Sequence, residues 1–157
     1  MTERLTCASV DETEAVARAL ALHAAPGQVV VLAGGLGAGK TTFTKAYAAA
    51  LGVDVAVTSP SYTLVHHYRC GAGAPVSLLL HADLWRLGGA GEVADLALDE
   101  QLSEGAAAIV EWGDRFDGAL PGDPVVVRFR IIDDVTRELT IDGVASLQGT
   151  GAHGAPR

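Results

Sequence analysis

The sequence predicts an α/β fold with a mostly parallel central sheet, flanked by helices and finished by an antiparallel hairpin. Three observations predict it. The runs QVVVLA (28–33), VSLLLHAD (76–83) and AAAIVE (106–111) are short and almost wholly apolar. Such runs suit strands covered on both faces, as in a parallel sheet. Stretches with helical spacing separate them, and strands alternating with helices are the signature of an α/β layer structure. Finally, residues 125–132 and 135–141 alternate more regularly around Asp133-Asp134 and read as a hairpin.

The elements follow in order. Residues 9–23 predict a helix, with Ser9 and Glu12, or Asp11 and Glu14, spaced as a capping box. Val16, Ala19, Leu20 and His23 share one side of it. Pro26-Gly27 ends the pattern before the first apolar strand, 28–33. A glycine-rich turn occupies 34–39, and an alanine-rich helix runs over 40–51, with Gly52 placed to close its C-terminus. A short strand is expected at 55–57, a turn around Pro60, an extended segment over 62–68 and a loop at 71–75. The strand 76–83 ends in an acid. Residues 92–104 read as a helix with Val93, Leu96, Ala97 and Leu98 apolar. The strand 106–111 also ends in an acid, and the hairpin follows. The Gly/Ala-rich tail 148–157 is expected to be disordered.

The chain has 157 residues, of which 49% are hydrophobic and 19% charged. That is enough apolar material for one domain over 1–147 without staples. Lys plus Arg is 11 against 19 for Asp plus Glu, a formal net charge of −8. A broad electrostatic grip on nucleic acid is therefore not expected. No apolar stretch approaches the ~20 residues of a membrane span, and the N-terminus lacks the pattern of a signal peptide. Cys7 and Cys70 stand in no CxxC pair and read as reduced thiols of a cytoplasmic protein. His66 and His67 with Cys70 and His81 do not read as a zinc set, because adjacent strand residues point to opposite faces.

The most specific signal is Gly34-Gly35-Leu36-Gly37-Ala38-Gly39-Lys40-Thr41, a full match to G-x-x-x-x-G-K-[ST] between a strand and a helix. Glycines let the backbone curl so that its N–H groups converge on an anion. The helix that follows adds its free amides and positive dipole end. Lys40 is placed to reach the β- and γ-phosphates of a nucleotide, and Thr41 to offer a hydroxyl to Mg²⁺. The fold class is thus P-loop NTPase-like. Asp83 and Glu111, each ending an apolar strand, compete for the acid of the Mg²⁺ shell. The hydroxyls of Thr58, Ser59, Ser61 and Thr63 occupy the region that covers the γ-phosphate in switch-type nucleotide proteins, though turn chemistry around Pro60 accounts for them equally. His81 and Asp83 share a strand face and are expected to pair.

Within this class, a GTPase would carry an N-K-x-D motif, and the chain has no asparagine. A small-molecule kinase is the main alternative, but the arginines are scattered rather than gathered in a lid. A binding module in which ATP only switches affinity for a partner is the third possibility.

The set GGLGAGKTTF, TSPSYTLVHHY, HADLWRL and IVEWGDRF resembles TsaE (YjeE), a family of small bacterial ATPases of the tRNA threonylcarbamoyladenosine pathway. The likeness runs from about Thr13 to Ile141. It implies binding of ATP and Mg²⁺, slow hydrolysis by the isolated protein, and work with TsaB and TsaD, with tRNA engaged only through those partners. Carried over by the resemblance, Gly35, Leu36, Gly37, Ala38, Gly39, Lys40, Thr41 and Thr42 would hold the nucleotide. Thr41 and Glu111 would hold Mg²⁺, Glu111 through water. Asp83 would organise the attacking water or the metal, and Trp112 would lie beside the nucleotide. Lys40, Asp83 and Glu111 would be the catalytic set. Thr13 and Arg137 would also approach the nucleotide. Three positions depart from the family pattern: Gly35 stands for a common Asp, Ser61 for a Thr, and Trp85 for a Tyr.

Overall fold

The computed structural model describes residues 1–60, 64–116, 118–145 and 147. Ser61 and Thr63 of the hydroxyl-bearing loop, and the tail 148–157, lie outside the described residues.

The chain runs β1 (Thr2–Cys7), α1 (Val10–Ala21), β2 (Val29–Ala33), α2 (Lys40–Ala50), β3 (Val65–Arg69), β4 (Leu78–Asp83), α3 (Ala90–Asp95), α4 (Leu98–Ser103), β5 (Ala107–Glu111), a 3-10 turn (Gly113–Phe116), β6 (Val125–Ile131) and β7 (Arg137–Asp142). The strands form one sheet in the order β1-β7-β6-β2-β5-β4-β3. Its centre, β6-β2-β5-β4, is parallel. The expected hairpin β6-β7 is antiparallel, and so are two edge pairings, β1 on β7 and β3 on β4. The sheet is therefore mixed, with a parallel centre between antiparallel margins.

Period-two alternation divides the central strands between two cores. Val30, Leu32, Leu79 and Ile109 face α1 and α2, where Leu20, Phe43 and Tyr47 are fully buried. Val29, Val31, Leu80 and Val110 face the layer of α3 and α4 through Val93, Leu98 and Leu102. This is why β2 and β5 are buried at every residue and read as continuous apolar runs.

α1 begins where the capping box predicts it. Ser9 Oγ accepts from the Glu12 amide at 3.2 Å. The return bond, from the Glu12 carboxylate, takes the amide of Ala8 at 2.6 Å rather than that of Ser9. Asp11 and Glu14 do not form the box.

Four expectations change. Residues 55–57 are not a strand. Val57 is buried against the α1–α2 core while Val55 is 59% exposed, and β3 already occupies that sheet edge. The helix over 92–104 is two short helices, because Ala97 adopts a left-handed φ of 53° between them. Of the extended segment expected over 62–68, residues 62 and 63 lie outside the described residues; after a bend at Leu64 the strand runs from Val65 to Arg69, one residue further than expected. β1 was not anticipated, since Leu5 and Cys7 alone carry its apolar alternation. Among the described residues, no helix is long and apolar enough to cross a membrane.

Candidate functional site

The glycine-rich turn lies at the C-terminal end of β2, flanked by the ends of β5 and β6. Ligands of parallel sheets collect at this end of the strands. Gly37 and Gly39 have φ of +74° and +107°, left-handed values that glycine adopts without strain. Gly34 is constrained for another reason: a Cβ there would lie 3.0 Å from the Phe129 Cβ and 3.1 Å from that of Ala38, a tight fit that would require both to give. α2 starts at Lys40 from Gly39, with no side-chain cap and no acid in its first turn. The amides of Lys40, Thr41 and Thr42 thus sit in a helix start that has no side chain to satisfy it. An anion is the natural partner for such a start.

Lys40 is only 6% exposed. Its ammonium donates to the carbonyls of Gly34 and Gly35, the latter at 2.8 Å, and lies 4.1 Å from the centre of the Trp112 ring. Burial pulls its pKa below the ordinary lysine value, and the nearby carboxylates of Glu111, Asp114 and Asp83 push it back up. A cation that leans on loop carbonyls can release them for a stronger anionic acceptor.

The two strand-terminal acids come together. Asp83 and Glu111 are paired across β4 and β5. Glu111 is 3% exposed. Its Oε1 accepts from Thr41 Oγ1 at 3.2 Å, so a hydroxyl and a carboxylate from distant parts of the sequence meet beside the start of α2. Both are hard oxygen donors of the type Mg²⁺ takes. Asp83 is not paired with His81. Its Oδ1 accepts from the Trp85 amide at 2.9 Å and its Oδ2 from Ser59 Oγ at 3.3 Å. His81 is directed to Glu111 instead, with Nε2 2.6 Å from Oε2. The β4–β5 register sets Glu111 opposite Asp83 and diagonal to His81 on one face, and the longer glutamate reaches the ring.

On the opposite flank of the loop, Arg137 reaches over from β7. Its Nε donates to the Ala38 carbonyl at 3.0 Å and one terminal nitrogen to the Gly37 carbonyl at 3.2 Å. The other terminal nitrogen holds the carbonyls of Asp133 and Thr136. Arg137 therefore holds the loop through its main chain, engaging the carbonyls of Gly37 and Ala38. Thr13, Gly37, Ala38, Gly39, Thr42, Val135 and Arg137 line one cavity of ≈ 140 Å³. The two outlying residues of the sequence reading, Thr13 and Arg137, thus share a pocket with the glycine-rich turn. Gly35 and Leu36 are not part of its lining, and Leu36 is 78% exposed.

Trp112 carries a left-handed φ of 62°, which aims its ring under Lys40 and against Trp85, with ring centres 4.5 Å apart. Arg115 donates to the Trp85 carbonyl. Sequence reasoning missed this brace and the His81–Glu111 contact. The second had a signal: two strands ending in acids, with a histidine two residues before one of them. Thr58 is held by its backbone, its amide donating to Tyr68 Oη at 3.2 Å.

A family model described as "Threonylcarbamoyl adenosine biosynthesis protein TsaE" matches residues 7–139. The tRNA threonylcarbamoyladenosine biosynthesis protein TsaE of Bacillus subtilis is 38% identical over 136 residues, covering 87% of this chain and 82% of that protein. The protein of the same name from Streptomyces coelicolor is 39% identical over 139 residues, covering 85% and 91%. The crystal structure of Bacillus subtilis YdiB superposes with a TM-score of 0.69 at 32% identity, over 90% of this chain and 84% of that one. The motifs, the sheet and these relatives agree, and the chain belongs to the TsaE family of threonylcarbamoyl adenosine biosynthesis proteins.

Proposed function

We propose that this protein binds ATP with Mg²⁺ and hydrolyses it slowly, in support of the complex that makes threonylcarbamoyladenosine in tRNA. The observation that carries the proposal is the meeting of Thr41 and Glu111 beside an uncapped helix start that also holds a buried lysine.

In this reading Gly37, Gly39, Lys40, Thr41 and Thr42 take the phosphates through their amides and the Lys40 ammonium. Thr41 would hold Mg²⁺ directly and Glu111 through water. The metal, when bound, neutralises charge on the β- and γ-phosphates. Lys40 leaves the Gly34 and Gly35 carbonyls for the phosphate oxygens, where its charge is stronger in a water-poor site. Asp83, freed from Ser59, would orient the attacking water. Thr13, Ala38 and Arg137 would line the remainder of the nucleotide, with Gly35 and Leu36 at the rim. Residues 1–147 would act as one ATPase domain in the cytoplasm.

Arg137 is engaged with main-chain carbonyls and Arg115 with the Trp85 carbonyl, so neither of these two stands ready as a cation for the phosphates. Slow turnover by the isolated protein is the expectation of this reading, because phosphoryl transfer draws much of its acceleration from a cation placed on the developing charge. TsaB and TsaD are the proposed partners, and an acidic chain that leaves tRNA to them needs no basic face.

Calorimetry with ATP and with ATP plus Mg²⁺, followed by phosphate release with and without TsaB and TsaD, tests the reading. Binding that survives Lys40→Ala undiminished would overturn the phosphate site. Rapid turnover without partners would overturn the dependence on them.

A further inference from the structure

His81 has no solvent exposure and belongs to neither apolar core. Its Nε2 lies 2.6 Å from Glu111 Oε2. Its Nδ1 is buried with no hydrogen-bond partner among the described residues. A buried N–H without an acceptor costs more than a buried lone pair without a donor. The ring is therefore satisfied when its proton sits on Nε2 and is donated to the carboxylate. The two oxygens of Glu111 then have separate duties. Oε2 is held by His81, and Oε1 faces the Thr41 hydroxyl.

We infer that His81 is a positioning residue for Glu111: its Nε2–H fixes the plane of the carboxylate so that Oε1 is presented beside Thr41. This rests on the reading of Thr41 and Glu111 as the metal-holding pair. The placement follows from strand geometry. His81 and Asp83 alternate onto the sheet face that Ile109 and Glu111 share, and the parallel register sets His81 beside Ile109 and Asp83 beside Glu111. An aliphatic side chain at 81 would fill the space but leave Oε2 buried without a donor. The carboxylate would then turn both oxygens toward Thr41 or toward water. Outer partners of metal-holding carboxylates and histidines act in this way, setting orientation rather than touching the metal.

Two variants separate this from simple packing. His81→Leu keeps volume and loses the donor. His81→Gln restores an N–H near the former Nε2. Nucleotide affinity is measured by calorimetry with and without Mg²⁺, and hydrolysis as kcat and KM across a Mg²⁺ titration. His81→Leu is expected to hold its metal-free affinity and to need about 10- to 100-fold more Mg²⁺ for half-maximal response, with kcat falling more than KM rises. His81→Gln is expected to recover most of that loss. A folded His81→Leu protein with the wild-type Mg²⁺ response, or a His81→Gln protein no better than His81→Leu, overturns the inference. Nitrogen-15 spectra of the histidine-labelled wild-type protein decide the matter without either variant. A ring that carries its proton on Nε2 supports the inference, and a ring whose Nε2 carries no proton overturns it. A wild-type protein whose nucleotide binding ignores Mg²⁺ would sink the metal reading itself, and the nitrogen-15 signature would still judge the His81–Glu111 bond.

Discussion

The glycine-rich loop has two flanks, and they are built from different materials. Toward β7, one side chain, Arg137, directs its guanidinium at four main-chain carbonyls, those of Gly37, Ala38, Asp133 and Thr136. Toward β4 and β5, the contacts run between side chains: Thr41 to Glu111, Glu111 to His81, Ser59 to Asp83. The first flank governs the shape of the backbone. The second gathers negative charge in front of one buried cation. The contrast implies that the flanks fail differently when damaged, one by loosening the cradle and the other by losing metal-dependent chemistry while nucleotide still binds.

The largest break is expected at Glu111. Glu111→Ala should leave metal-free nucleotide affinity near wild type and lower ATP hydrolysis by about 100- to 1000-fold, as loss of a metal-positioning or charge-stabilising group typically does. Calorimetry without Mg²⁺, paired with phosphate release, checks both halves. Lys40→Ala strikes the point between the flanks. ATP affinity should fall about 100-fold, equivalent to about 2.7 kcal/mol, with circular dichroism unchanged. Arg137→Ala sharpens the comparison from the other side. It should weaken ATP and ADP alike by about 10-fold and lower stability by about 1 kcal/mol, since bonds from a charged donor to exposed and part-buried carbonyls are lost. Mg²⁺ response should be retained, and a denaturant titration gives the stability term.

A smaller effect is expected from pH. The Lys40 ammonium is held below its ordinary pKa of 10.5 by burial. Between its lowered value and that of the unfolded chain, the unfolded state binds more protons, so this group makes the ligand-free protein more stable as pH rises there. Nucleotide affinity should move the opposite way, declining with rising pH before 10.5, because the neutral amine no longer attracts phosphate. Titrations across the alkaline range, repeated with Lys40→Arg, isolate the contribution. The smallest effect is at Cys7, whose thiol is raised above its ordinary pKa chiefly by burial. Its alkylation at pH 8 should be slow in the folded protein and fast in denaturant, with half-buried Cys70 in between.

Much of this site was legible because it is written locally. The phosphate loop lies in eight consecutive residues, and the glycine positions, the lysine and the threonine each announce a role through spacing alone. The strands β2, β4 and β5 were equally legible, since burial on both faces leaves an unbroken apolar run. What escaped detection depends on pairing between distant segments. β1 carries too little apolar alternation to stand out, and exists because β7 offers an edge. The break at Ala97 follows from how α3 and α4 settle on the sheet, not from a glycine or proline in the sequence. The partner of His81 could not be read from its own strand, where Asp83 is the nearer acid. Only the register of β4 on β5 decides for Glu111.

Gly52 and Gly71 touch at the far end of α2. A Cβ on Gly52 would fall 2.8 Å from the Gly71 Cα, and the Gly71 amide donates to the Leu51 carbonyl at 2.8 Å. The chain between them therefore departs from and returns to one knot, as a ring does. Ser59 is carried on that excursion, which is pinned again where β3 pairs with β4 and where the Thr58 amide donates to Tyr68 Oη. A side chain at 52 would meet backbone on one side and a left-handed φ on the other, so Gly52→Ala would disturb the departure and the return of the chain at one stroke.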